Sequence, residues 1–232
     1  MSSPVPPAER PRSEPPASDA AEPGRPGLRG WPVNLLVRER LVVVVGAGRI
    51  AARKVEPLLD LGAVVVVIAP EVGSEIRAWS DAGRLELRER AFRPDDLDAA
   101  WLAVTATSDP AVNEAVRRAG DERRIFVNAA DDPAHCSFTL MSVIRRADLV
   151  VAIGTGGRSP ALATWLKRHV TDEMGPEYEV LLGILSEARE ELRGGGASSE
   201  DADWQRAFES GILDLVRSGR IDEAKELLRT CL

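Results

Sequence analysis

Leu41-Val-Val-Val-Val-Gly46-Ala-Gly48-Arg-Ile-Ala-Ala-Arg-Lys54 is the stretch on which the reading of this chain turns. Its first five residues form a continuous apolar run, the pattern of a parallel strand covered on both faces. Gly46, Gly48 and Ala51 then fit G-x-G-x-x-A, and Ile50, Ala51, Val55, Leu58 and Leu59 recur at helical spacing. Strand, glycine turn and helix in that order supply the context a dinucleotide loop needs. Gly46 permits the tight turn, and Gly48 lets backbone approach a pyrophosphate. Small Ala51 lets the helix pack near the strand, with its first N–H groups facing the anion. The competing reading is a purely structural turn; position in the first βαβ unit favours nucleotide binding over it.

Working outward, Ala63 to Ala69 reads as a second buried strand, stopped by Pro70. The acidic residue for an adenosine ribose belongs at the end of this strand. Here Glu71 stands there, one place behind the proline. It either reaches the ribose or is a first-turn helix charge favoured by the dipole, and both readings stand. No arginine immediately follows, which favours NAD over NADP. Ser74 to Ala82 reads as a helix, and Leu85 and Leu87, alternating with charges, as an edge or half-exposed strand. Ala100 to Ala106 is a further strand, Asp109-Pro110 opens a helix, and Ile125 to Asn128 is a fifth strand. This alternation predicts a Rossmann-like, doubly wound α/β domain. Beyond it, Ser137 to Val143 and Leu149 to Ile153 read as extended, Ser159-Pro160 caps a helix, and helical pattern continues to about Arg193. Gly194 to Ser199 is a linker, and Asp201 to Leu232 holds two short amphipathic helices. The expected organisation is a tail over 1–30, a nucleotide domain over 31–136, a small α+β unit over 137–193, and a linker with C-terminal helices over 194–232.

The tail is rich in Pro, Ala, Ser and Glu and is expected to be disordered. A net charge of −7 argues against a nucleic-acid partner, which would require a basic surface. Of the 30 basic residues only Lys54, Lys167 and Lys225 are lysines, a skew read as codon bias. Two cysteines, Cys136 and Cys231, are too few for a disulfide framework. No apolar run approaches the ~18 residues of a membrane span, and the N-terminus has no apolar signal core. A soluble cytoplasmic protein is the expectation.

From about Trp31 to Leu185 the chain resembles the precorrin-2 dehydrogenase/sirohydrochlorin ferrochelatase family, found alone or fused ahead of a methyltransferase in sirohaem synthases. Four ordered segments carry the resemblance. They are Val45 to Lys54, Ala103 to Asn113, Asn128 to Phe138 with Asp131, Pro133 and Cys136 inside it, and Thr155 to Pro160. Met141 stands where the family usually has proline, and Gly154 where serine is common. The resemblance implies NAD-dependent oxidation of precorrin-2 to sirohydrochlorin, in sirohaem or cobalamin synthesis. It also implies a homodimer assembled through the α+β unit. Ferrous or cobaltous ion enters as a substrate if the protein also chelates. With no methyltransferase segment before Leu232, no methylation is expected.

The implied residues follow the same segments. Gly46, Gly48, Arg49, Ile50, Pro70, Glu71 and Thr107 are placed at the cofactor, and Thr155, Gly156, Gly157 and Arg158 at the substrate. Asp131 is the base, beyond a carboxyl end of the sheet where open α/β folds bind ligands. Without the resemblance Asp131 reads as a turn residue of Asp-Asp-Pro. Thr155 to Arg158 offers N–H groups, a hydroxyl and a guanidinium suited to carboxylates; a turn and helix cap is compatible with that role. His135 and Cys136 are adjacent and poorly placed as a metal pair, so no resident metal is expected. His169, after Lys167 and Arg168, either meets substrate carboxylates or lies on a solvated basic face. Two other functions compete. A non-catalytic NAD-sensing module would need the nucleotide loop but neither Asp131 nor the Thr155 loop. A dehydrogenase of another small substrate would be expected to show a catalytic His/Lys set, which is not evident.

Overall fold

The computed structural model describes residues 30–130, 135–195 and 202–232. The disorder expected over 1–30 therefore falls outside the described residues apart from Gly30, as does residues 196–199 of the linker. The first unit runs β1 (Leu41–Val45), α1 (Arg49–Asp60), β2 (Val64–Ile68), α2 (Ser74–Asp81) and β3 (Glu86–Arg88). A 3-10 turn at Pro94–Leu97 follows, then β4 (Leu102–Thr105), α3 (Pro110–Arg123) and β5 (Phe126–Ala129). The sheet order is β3-β2-β1-β4-β5 and every pair is parallel. The chain winds outward from β1 to β3, then returns across β1 to β4. The crevice of such a sheet opens at that reversal, above the carboxyl ends of β1 and β4.

The valine runs are explained by burial on both faces. Side chains alternate along a strand, so Val42 and Val44 pack with Ala51 and Val55 of α1 and Ile76 of α2. Val43 and Val45 point the other way, onto Val116 and Ala119 of α3 and Leu97 of the 3-10 turn. The short β3 is a sheet edge, one of the two readings that the Leu85/Leu87 alternation left open.

Asp96 in the 3-10 turn is a carboxylate only 8% exposed. It accepts hydrogen bonds from Arg90 Nη1 at 2.8 Å and Arg90 Nη2, from Arg88 Nη1 at 3.1 Å, and from the Arg93 N–H at 2.8 Å. Burial alone would push its pKa up; the arginines and the backbone N–H outweigh this and hold it below the ordinary value. A depressed carboxylate contributes stability above its unfolded pKa and loses it as pH falls through the folded one. Asp96→Asn should therefore lower stability by about 1–3 kcal/mol at neutral pH, the scale of leaving buried partners unsatisfied. In thermal melts the gap from the parent protein should close as pH drops below the usual aspartate range; a gap independent of pH would contradict the assignment.

The extended stretch expected at 137–143 divides in two. Residues 137 and 138 line the outer edge of β5, and the next strand begins later, as β6 (Ser142–Arg146). It pairs antiparallel with β7 (Leu149–Ile153). The helical pattern reaching Arg193 forms two helices, α4 (Pro160–Glu173) and α5 (Glu177–Gly194). Pro176 explains the break, because it has no N–H and disfavours helical geometry in the residue before it. The C-terminal segment holds three helices rather than two: α6 (Trp204–Glu209), α7 (Ile212–Arg217) and α8 (Ile221–Cys231). Gly211, at φ 86°, makes the additional corner. Leu181 and Ile184 of α5 join Ala207, Ile212, Val216, Ala224 and Leu228 in one core. Among the described residues no helix is long and apolar enough to cross a membrane.

Candidate functional site

Three strand ends meet at the glycine loop. Gly46 N–H donates to Ile68 O at 2.9 Å, and Ala106 N–H donates to Val45 O at 2.8 Å. Gly46 has φ +109°, and a Cβ there would stand 2.5 Å from Ala106 O. Any other residue would push the loop off the end of β4. Gly48 is the opposite case, since a Cβ there would meet nothing within 4 Å. Its backbone borders open space, as close approach by a ligand requires.

Gly48 precedes α1 in an extended conformation, with no side-chain cap on the helix and no acidic residue in its first turn. The first N–H groups are thus left to an external acceptor, and the positive end of the dipole is unopposed. Beside them is an open cavity of about 290 Å³, walled by Ala47, Gly48, Arg49 and Ala52 on one side and Gly73, Ser74, Glu75 and Ile76 on the other. The two walls are tied together by Gly73 N–H donating to Ala47 O at 2.9 Å. Bare helix N–H groups, an open glycine and a nearby guanidinium form a donor set that fits a pyrophosphate. Gly73, Ser74 and Glu75 were not anticipated. A glycine between Pro70 and the start of a helix was the available signal, and it gained meaning only through its contact with Ala47.

The other predicted cofactor residues gather around this loop. Arg49 and Ile50 are exposed at the start of α1, and Pro70 and Glu71 are exposed after β2. The Thr107 backbone nitrogen lies 3.3 Å from where a Gly46 Cβ would stand. The Thr107 hydroxyl accepts the Asp109 N–H at 3.2 Å, and the Asp109 carboxylate caps α3 by accepting the Ala111 N–H at 2.9 Å.

Asp131 lies outside the described residues, as do 132–134, but both flanks are held. Ala130 N–H donates to Thr105 O at 2.9 Å. On the return, Ala129 N–H donates to Cys136 Sγ at 3.2 Å, and that thiol faces Ala129 O at 3.3 Å. Ser137 clasps Val127 from both sides, its N–H donating to the carbonyl at 2.8 Å and its Oγ accepting the N–H at 2.7 Å. Asn128 Nδ2 donates to Phe138 O at 3.0 Å. Cys136 is therefore engaged with the β5 backbone. Among the described residues no group of three or more His, Cys, Asp or Glu is arranged to hold a metal ion.

The second predicted cluster follows β7. The Thr155 hydroxyl donates to Ser159 O at 3.1 Å and accepts the Ser159 N–H at 3.3 Å, while Ser159 Oγ caps α4 through the Leu162 N–H at 3.2 Å. Gly156 and Gly157 take φ values of 59° and 75°. Thr155 thus shapes the loop, and Arg158 is the exposed charged side chain it presents. His169 lies on α4 with its ring stacked on Trp165, centroids 5.3 Å apart.

A family model described as "Putative NAD(P)-binding" matches residues 33–142. Siroheme synthase of Photorhabdus laumondii is 35% identical over 199 residues, covering 85% of this chain and 42% of that protein. Siroheme synthase of Escherichia coli O1:K1 / APEC is 40% identical over 163 residues, 70% of this chain and 35% of that protein. The chain thus spans less than half the length of these relatives. A solved structure, "SirC, precorrin-2 dehydrogenase", superposes with a TM-score of 0.65 at 26% identity, covering 87% of this chain and all of that one.

Proposed function

Since this chain belongs to the precorrin-2 dehydrogenase/sirohydrochlorin ferrochelatase family, the module that opens sirohaem synthases, we propose that it oxidises precorrin-2 to sirohydrochlorin with NAD. The observation that carries the reading is the bare N-terminus of α1 beside Gly48, open where a dinucleotide pyrophosphate would lie. Bound NAD supplies the hydride acceptor. The residues of the chain do the rest. The α1 N–H groups and Arg49 bind the pyrophosphate, Glu71 and Glu75 lie on the ribose side, and Thr107 borders the loop at the β1/β4 reversal. Asp131, between the held residues Ala130 and Cys136, accepts the proton that leaves the macrocycle. Arg158 pairs with substrate carboxylates.

The test is an anaerobic assay with precorrin-2, read by absorbance. Sirohydrochlorin should form with NAD and not without it; no change with NAD present removes the proposal. Repeating it with ferrous or cobaltous ion tests whether the protein also acts as a lyase that inserts metal.

We read residues 31–136 as the cofactor domain of a cytoplasmic enzyme and the unit over 137–193 as its dimerisation and substrate region. The surface of that unit supports this. Leu140, Val150, Leu162 and Trp165 are 56%, 37%, 47% and 55% exposed, apolar side chains that a second copy of the chain would cover. Light scattering at micromolar concentration should give twice the chain mass of 25.1 kDa, and a monomer would overturn the assembly.

A further inference from the structure

The carboxyl ends of β2 and β3 form a corner in which three guanidiniums are already engaged. Arg88 stands opposite Ile68 in the register, and its carbonyl accepts the Ala69 N–H at 3.2 Å. The end of β3 therefore borders Ala69-Pro70-Glu71, where this kind of fold presents an adenosine ribose. Arg90, two residues on, places both Nη atoms on Asp96, and Arg88 places Nη1 on the same carboxylate and Nε on Glu86 at 2.7 Å. Across the corner Arg77 of α2 is held by Glu89 in a two-pronged pair, with Nη1 on Oε1 at 2.6 Å.

We propose that this corner selects between the two nicotinamide dinucleotides. Asp96, by holding Arg90 and Arg88, and Glu89, by holding Arg77, deny a 2′-phosphate the guanidinium it needs and leave the site to a 2′-hydroxyl. The proposal rests on the dinucleotide reading of the glycine loop. A 2′-phosphate is a concentrated anion whose recognition calls for a free, planar guanidinium. Here each of the three candidates would have to surrender a carboxylate first. The hold is firmest at Asp96, which is buried and cannot exchange its arginines for water without cost. Glu71, exposed on the same edge, adds a like charge against the phosphate and an acceptor for a hydroxyl. Asp96 is a positioning residue, acting through Arg90.

Calorimetric titration with NAD and with NADP tests this without any turnover. The parent protein should bind NAD at least about tenfold more tightly than NADP. Asp96→Asn, measured cold to offset its lower stability, should tighten NADP by about tenfold, the effect of one charge-assisted contact, and move NAD less than about twofold. The gain should disappear at about 0.5 M salt and in the Asp96→Asn/Arg90→Ala pair. Glu89→Gln breaks an exposed pair that the fold does not depend on, and should tighten NADP in the same direction; it decides the matter if Asp96→Asn does not fold. Equal affinities in the parent protein, a parallel change for both nucleotides, a gain that survives Arg90→Ala, or unchanged NADP binding in Glu89→Gln would each overturn the proposal. A parent protein that binds neither nucleotide would instead remove the dinucleotide reading itself.

Discussion

Asp131→Asn should slow precorrin-2 oxidation by about 10²–10⁴-fold, the usual contribution of a positioned acid or base. The substitution keeps the size and much of the hydrogen bonding of the side chain and removes the ionisable carboxylate. NAD affinity should hardly change, because the proposed pyrophosphate contacts lie on α1 and not after β5. Any metal insertion should fall as well, since the pyrrole protons would lose their nearby acceptor. The residues that flank it give the prediction its structural footing. Ala130 is tied to Thr105 and Ala129 to Cys136, so the fold should survive the change. A variant that dehydrogenates at near the parental rate would make Asp131 a turn residue and pass the proton to water or to another group.

Gly48→Val should weaken NAD binding by at least about 100-fold, because its side chain would occupy the space through which several N–H groups meet the pyrophosphate, each such charged contact being worth about 1.5–3 kcal/mol. The fold should be spared, since the Cβ meets no protein atom within 4 Å and φ is an ordinary −85°. Calorimetry on a variant with an unchanged melting temperature reads the effect cleanly. Undiminished affinity would take the cofactor away from this loop. Gly46 could not serve in the same test, because its Cβ would strike Ala106 O and the damage would be structural.

What could be read from the sequence alone were features whose physics is local. A run of five apolar residues beginning at Leu41 fits a strand covered on both faces, and a glycine turn placed between that strand and a helix supplies the context of a dinucleotide loop. The fold class and the succession of strands and helices follow from such local rules, whereas the crevice at the β1/β4 reversal follows from the sheet order. The nucleotide loop was legible for the same reason, since Gly46, Gly48 and Ala51 are neighbours on the chain. Asp131 and the Thr155 loop became candidates through resemblance to a family, which their own chemistry could not have supplied.

Tertiary structure decided whatever depends on partners distant in sequence. Composition marks Cys136 as a potential ligand; only the return of the chain along β5 shows its thiol engaged at Ala129. The spacing of Thr155 and Ser159 does not reveal that the Thr155 hydroxyl closes its own loop onto Ser159; that contact belongs to the fold. The run of arginines at 84, 88 and 90 carries no sign of selectivity until the 3-10 turn brings Asp96 beneath two of them. Likewise α5, continuous by pattern with the helix before it, is severed at Pro176 and joins the C-terminal core through Leu181 and Ile184. Periodicity and steric demand are written residue by residue, whereas a charge or an apolar face takes its meaning from the group that packing sets against it.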